Sequence, residues 1–164
     1  MFKKEHHQRI GKVLESLNSQ LLFENNCYFG GGTAITLNYG EFRESVDIDF
    51  LVSDLASYRN LRQLLTRPEG INAIRKPEAT ALKQQKEIRA DQYGLRTTLL
   101  VDNHPIKFEI ILEGRVTLET PNRSQQVCGI TTLTDLDMAT SKLLANSDRW
   151  ADASVFSRDL IDLA

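Results

Sequence analysis

Asp47 and Asp49 stand two apart in Asp47-Ile48-Asp49-Phe50-Leu51-Val52, a segment whose apolar run predicts a strand. Residues two apart on a strand point to one face, so both carboxylates project together while Ile48 and Phe50 enter the core. Two adjacent anions repel unless something positive lies between them. A Mg²⁺ ion meets that need, since it takes hard oxygen ligands and brings phosphate with it. The alternative is the solvated polar face of a half-buried strand. Ahead of the pair lies Phe29-Gly30-Gly31-Gly32-Thr33. A strand that runs into glycines and then into a helix exposes backbone N–H groups suited to phosphate. The glycines matter because a Cβ would block close approach of the backbone, and Thr33 could add a hydroxyl donor. A tight turn with a capping threonine is the alternative here. No Gly-Lys-Ser/Thr follows, so the turn is not a Walker loop.

A third acid is expected from a neighbouring strand. In Ile106-Lys107-Phe108-Glu109-Ile110-Ile111-Leu112-Glu113, one face carries Ile106, Phe108, Ile110 and Leu112, and the other carries Lys107, Glu109 and Ile111. Glu109 is thus an acid within an apolar strand, which has a solvation cost unless it is paired. Glu113, near the strand end, reads as a surface residue. Lys142 precedes Leu143-Leu144 and reads as a rim residue whose stem covers apolar surface. Asp159 and Asp162 share a helix face, and Arg158 with Asp162 has the spacing of a surface ion pair. His6 and His7 are adjacent and cannot both face one ion from a helix, and neither cysteine has a partner at metal-ligand spacing.

The elements that must position these groups alternate in type. Residues 3–22 have the spacing of an amphipathic helix, with Ile10, Val13, Leu14, Leu17 and Leu21 on its apolar face. A buried strand at Cys27–Phe29 and a short helix from Thr33 to Tyr39 follow, stopped by Gly40. After the Asp47 strand, Ser53 or Asp54 caps a helix over about 55–66. Segments 80–89, 95–101 and 106–112 are candidate antiparallel strands, the first equally readable as helix, with a turn at Asn103-His104-Pro105. A short strand near 126–131, with Cys128 buried in it, precedes a helix from Thr134 to about Ala145. A last helix over roughly 150–163 places Phe156, Leu160 and Leu163 on one face, with Trp150 as its anchor. Arg75, Lys76, Lys83, Lys86 and Arg89 form a basic stretch that faces either RNA or triphosphate, or is a solvated edge. This order of elements argues for a mixed sheet with helices packed against it.

Composition narrows the class. The chain of 164 residues, 41% of them hydrophobic, suits one domain with its own core. Twenty basic against 22 acidic residues, a net charge of −2, exclude a strongly basic nucleic-acid binder. No apolar run approaches the roughly 20 residues that span a bilayer, and the first residues lack the apolar core of a secretory signal. Two cysteines are too few for a disulfide scaffold, so a cytoplasmic protein is expected.

Together, Gly31-Gly32-Thr33 and Arg43-x-Ser45-x-Asp47-x-Asp49-Phe50 resemble the first motif of the AbiEii/AbiGii-toxin type of nucleotidyltransferase, within the DNA polymerase β-like superfamily. Leu136–Ala145 is similar to that family's lysine-bearing helix, and Arg149 with Arg158-Asp159-Leu160-Ile161-Asp162-Leu163 to its following Arg-Asp-x-x-Asp segment. The resemblance implies an α+β nucleotidyltransferase fold, a mixed sheet flanked by helices, as a single domain over 1–164 short of the C-terminal helices that longer relatives add. It implies that Gly31, Gly32 and Thr33 hold a triphosphate, that Asp47 and Asp49 bind Mg²⁺, and that Glu109 completes the acidic set. Lys142 would touch the triphosphate, Asp159 would sit near the site, and Arg43 and Ser45 would order the loop, with Arg43 near phosphate. The implied reaction moves a nucleoside monophosphate from an NTP to a hydroxyl of tRNA, another RNA or a protein. A cognate antitoxin is the implied partner, and no membrane is involved. The rival reading is a non-catalytic nucleotide- or RNA-binding module with the same fold. A second rival is an interaction protein in which the aspartates are plain surface charges.

Overall fold

The computed structural model describes residues 2–155 and 158–164. In α1 (Glu5–Ser16), Ile10, Val13 and Leu14 are fully buried, as is Leu17 just beyond it. The helix predicted over 3–22 is in fact two. The chain leaves helical geometry at Leu17, which bridges to Arg75. Asn18 then caps α2 (Ser19–Glu24), its side chain accepting the Leu21 N–H at 3.0 Å. β1 (Tyr28–Gly30) runs directly into α3 (Gly31–Asn38), and β2 (Ile48–Val52) begins one residue after Asp47. Asp54 caps α4 (Leu55–Leu65) by accepting the Ser57 N–H at 2.8 Å.

The segment 80–89 yields only β3 (Lys83–Gln84) and β4 (Arg89–Ala90), short pieces paired with β5 (Gly94–Val101). β5 and β6 (His104–Leu112) form a hairpin turning on Asp102-Asn103, with φ of +50° and +63°. The turn is therefore one residue earlier than predicted, and His104 and Pro105 belong to the strand. Asp and Asn tolerate the left-handed region, and a two-residue turn of this hand matches strand twist. β7 (Gln126–Val127) and β8 (Ile130–Thr131) enclose a second such turn at Cys128-Gly129, so Cys128 is half-buried at a turn instead of in a strand.

Thr134 caps α5 (Asp135–Arg149), accepting the Asp137 N–H at 3.1 Å, and the helix continues past Ala145. The helix predicted over 150–163 is reduced to a 3-10 turn at Ala153–Val155 and α6 (Arg158–Leu163). Trp150 is 82% exposed and anchors nothing, and Leu160 is exposed too. Phe156 lies outside the described residues.

The sheet runs β1-β2-β6-β5-β3, with β4 also on β5. All its pairings are antiparallel except β2 with β6, which is parallel. One face carries Ile48, Phe50, Ile106, Phe108 and Ile110, all buried. Phe29, Phe50 and Phe108 stack across it at ring separations of 5.5 and 5.6 Å. Burial of rings like these, at about 1.5–3 kcal/mol each, fixes which face is inside. A one-residue slip would expose them, so the residues of the opposite face are fixed with equal force.

Candidate active site

That opposite face is where the acids emerge. In the β2–β6 register Asp49 is the direct partner of Glu109 and Leu51 of Ile111. Asp47, Asp49, Leu51, Lys107, Glu109, Ile111 and Glu113 line one wall of a cleft of about 600 Å³. Burial, then the charges of Glu109 and Asp47, push the Asp49 carboxyl up to about 7, with partial relief from Lys107 and Lys142. Glu109 is only 9% exposed and its oxygens are engaged by Arg96 Nε at 2.9 Å and Lys107 Nζ at 3.0 Å. Among the described residues no three of His, Cys, Asp and Glu form a ready-made metal cage.

The glycine corner abuts this wall. Gly31 has φ +70°, and a Cβ there would stand 2.6 Å from Asp49 Oδ2. Only glycine lets the corner and the carboxylate coexist. A Cβ on Gly32 would strike the Arg43 guanidinium. Gly31 and Gly32 both line the cleft at the first turn of α3, where N–H groups have no partner within the helix. Thr33, expected at phosphate, is instead 1% exposed and turned inward. Its hydroxyl lies 2.8 Å from Ser45 Oγ and donates to the Asp47 carbonyl. It fixes the chain around the first aspartate and leaves any anion to the glycines.

The facing wall is cationic and comes from the loop after α3 and from α5 and α6. Arg43 grips Asp162 with two bonds, Nε to Oδ1 at 2.6 Å and Nη2 to Oδ2 at 2.7 Å. Lys142 Nζ lies 2.8 Å from Asp162 and 3.1 Å from Asp159, and Arg149 Nη2 donates to Asp159 at 2.7 Å. Burial alone would raise the Asp162 carboxyl, but the hydrogen bonds of Arg43 and Lys142 outweigh it and hold it below the usual range. Three cations thus share two buried carboxylates, leaving a net positive charge opposite the acids. Lys142 is 8% exposed, so it is a buried member of this chain and not a rim residue.

Sequence reasoning missed several members. Glu113, read as a surface residue, is 8% exposed and bound by Arg115, which also reaches Asp148 at 3.0 Å. Arg96 carried no motif, yet it pairs with Glu109 across the hairpin. Asp162 was visible as a face-mate of Asp159, as a possible partner of Arg158 and as the last acid of the Arg-Asp-x-x-Asp segment, but not as the partner of Arg43 and Lys142. The basic stretch from Arg75 to Arg89 contributes nothing to the cleft, and Arg75 is spent on the carbonyls of Lys76, Pro77 and Ala79.

No curated protein matches the chain. Among solved structures it is similar to a Helicobacter pylori protein provisionally assigned as a nucleotidyltransferase, at 18% identity and TM-score 0.47, covering 84% of this chain and 56% of that one. It is also similar to JHP933 from Helicobacter pylori, at 16% identity and TM-score 0.49, covering 87% and 58% respectively. The chain therefore spans little more than half the length of these neighbours. A family model for the nucleotidyl transferase AbiEii toxin of type IV toxin–antitoxin systems matches residues 12–164. With almost its whole length inside that match, the chain belongs to the AbiEii nucleotidyltransferase toxin family.

Proposed function

We propose that this chain is a divalent-cation-dependent nucleotidyltransferase acting as the toxin of a toxin–antitoxin pair. The observation that carries the reading is the β2–β6 register, which sets Asp49 beside Glu109 with its carboxylate against Gly31. The donor set fits Mg²⁺: Asp47 and Asp49 offer hard oxygens, and the repulsion that lifts Asp49 is what a cation relieves. Glu109 completes the set by releasing Arg96 or Lys107. When bound, the cation supplies charge neutralisation at the phosphates and polarises the attacking and leaving oxygens.

The chain's own residues do the positioning. The glycine corner receives the triphosphate on backbone N–H groups. Lys142 and Arg149, drawn to the cleft by Asp159, face its negative charge. Oxygen of an acceptor hydroxyl bonds to the α-phosphorus, the bond to the bridging oxygen breaks, pyrophosphate leaves, and the hydroxyl proton passes to solvent. Such chemistry depends mostly on placement and electrostatics. The acceptor is a hydroxyl of a tRNA end, of another RNA or of a protein, and the setting is the cytoplasm, with a cognate antitoxin opposing the activity. Among the described residues no helix is long and apolar enough to cross a membrane.

The test is incubation with labelled NTPs, Mg²⁺ and total RNA beside an Asp47→Ala, Asp49→Ala double variant. Label transfer by the parent and its loss in the variant is the expected result. Metal-dependent NTP binding without transfer would replace the enzyme with a nucleotide-binding module.

A further inference from the structure

His6 and His7 have no place in the site as described, yet both reach the loop that delivers Asp47. His7 is fully buried. Its Nδ1 lies 2.8 Å from Glu41 Oε1, and its Nε2 receives the Ser45 N–H at 3.1 Å. A backbone N–H can only donate, so Nε2 must offer a lone pair. The Lys3 backbone N–H, aided by His7, draws the Glu41 carboxyl down to about 2, so that it accepts and Nδ1 carries the hydrogen. Both nitrogens are thereby assigned: His7 is neutral, in the Nδ1–H form.

His6 Nε2 lies 2.9 Å from the Val46 carbonyl, so that nitrogen donates. One backbone group on each of the two residues ahead of Asp47, the Ser45 N–H and the Val46 carbonyl, is therefore held from α1. Residues 42–47 belong to no helix or strand, so no ladder sets their path. Further ties come from Thr33, through Ser45 Oγ and the Asp47 carbonyl, and from the Arg43 side chain, through Asp162 and the Glu44 carbonyl.

We infer that His7 is a positioning residue for the acid pair, its Nε2 lone pair fixing the Ser45 backbone and so the approach of Asp47 to the cation. This rests on the nucleotidyltransferase reading above. The geometry also separates the two halves of the imidazole. An asparagine at this position places an amide nitrogen near Nδ1 and keeps the Glu41 bond. A glutamine places an amide oxygen near Nε2 and keeps the Ser45 bond.

Two measurements decide it. In the unaltered ¹⁵N-labelled protein at neutral pH, long-range proton–nitrogen correlation of the His7 ring should show the Nδ1–H tautomer; an Nε2–H tautomer or an imidazolium overturns the inference. Mn²⁺ binding, read by water-proton relaxation, should weaken about tenfold in His7→Asn and stay within about threefold of the parent in His7→Gln, the scale of lost outer-shell support. Ser45 amide exchange should accelerate in His7→Asn alone. Equal behaviour of the two variants, or the reverse ranking, overturns the inference. If the parent fails to bind Mn²⁺ at all, the nucleotidyltransferase reading falls, whereas the tautomer and the Ser45 exchange still judge His7 separately.

Discussion

The two walls of the cleft solve opposite electrostatic problems. On the strand wall, register sets Asp49 beside Glu109 and Thr33 holds the backbone of Asp47, while the acids' charges are only partly met by Lys107 and Arg96. On the helix wall, Arg43, Lys142 and Arg149 interlock with Asp159 and Asp162 at 2.6–3.1 Å, with every member bonded. The strand wall carries stored repulsion, which a bound cation would release. The helix wall has every charge paired yet keeps a net positive charge, and it works as structure as much as chemistry. The difference weights function and stability by region: substitutions on the strand wall should cost activity with little loss of stability, whereas those on the helix wall should cost stability as well.

The largest expected effect is on the strand wall. Asp49→Asn should lower nucleotidyl transfer by about 10²–10³-fold, the scale of a lost electrostatic catalytic group. It should leave thermal stability at pH 8 unchanged or raised. The sign follows from the raised carboxyl: between the ordinary value near 3.9 and about 7, the native state binds more protons than the unfolded chain, so stability falls as pH rises through that window. Melting temperature followed from pH 4 to 8 should show that fall in the parent and lose Asp49's share of it in the variant. A variant that is both inactive and unstable at pH 8 would break the contrast.

Next is Asp162→Ala, which takes from Arg43 its carboxylate partner and leaves Lys142 with Asp159 alone. Removing one partner from such a buried set should cost about 3 kcal/mol, read by urea denaturation at neutral pH. Asp162's carboxyl is held low in the fold, so its contribution is present above about pH 4 and is lost as pH falls. The two denaturation curves should draw together in acid.

Gly31→Ala should cost about 1–2 kcal/mol for the left-handed backbone, with a further loss of activity as Asp49 is displaced. In an Asp49→Ala background the carboxylate is gone and only the Cβ contact at 3.0 Å is left, so the added penalty should shrink. The double-mutant cycle measures that coupling. The smallest effect belongs to Asp148→Ala, since Glu113 still holds Arg115 when this exposed partner is removed. No resolvable change in melting temperature is expected.

The acids were readable because alternation and burial determine one another: with Ile48, Phe50, Phe108 and Ile110 committed to the core, Asp49 and Glu109 had to emerge opposite. Family resemblance supplied Lys142 and Asp159, which spacing alone assigned to a helix surface. What escaped depended on tertiary register. Arg96 comes opposite Glu109 only when the hairpin turns on Asp102-Asn103; a turn read one residue later misaligns the pair. His7 and Thr33 escaped for another reason. Their partners are backbone groups of a loop without periodicity, and such bonds leave no pattern in residue types. Glu113 was misread because a carboxylate at a strand end is usually solvated, and the Arg115 that buries it is set by how the chain turns after β6.

The single parallel pairing in the sheet has a consequence for biosynthesis. While the chain is being made, β2 leaves the ribosome well before β6, and a helix and an antiparallel hairpin must be completed before the two can lie side by side. Closing so long a loop comes after local structure has formed. Fragments that end ahead of β6 therefore lack Glu109, and the acid wall is incomplete until the sheet is whole.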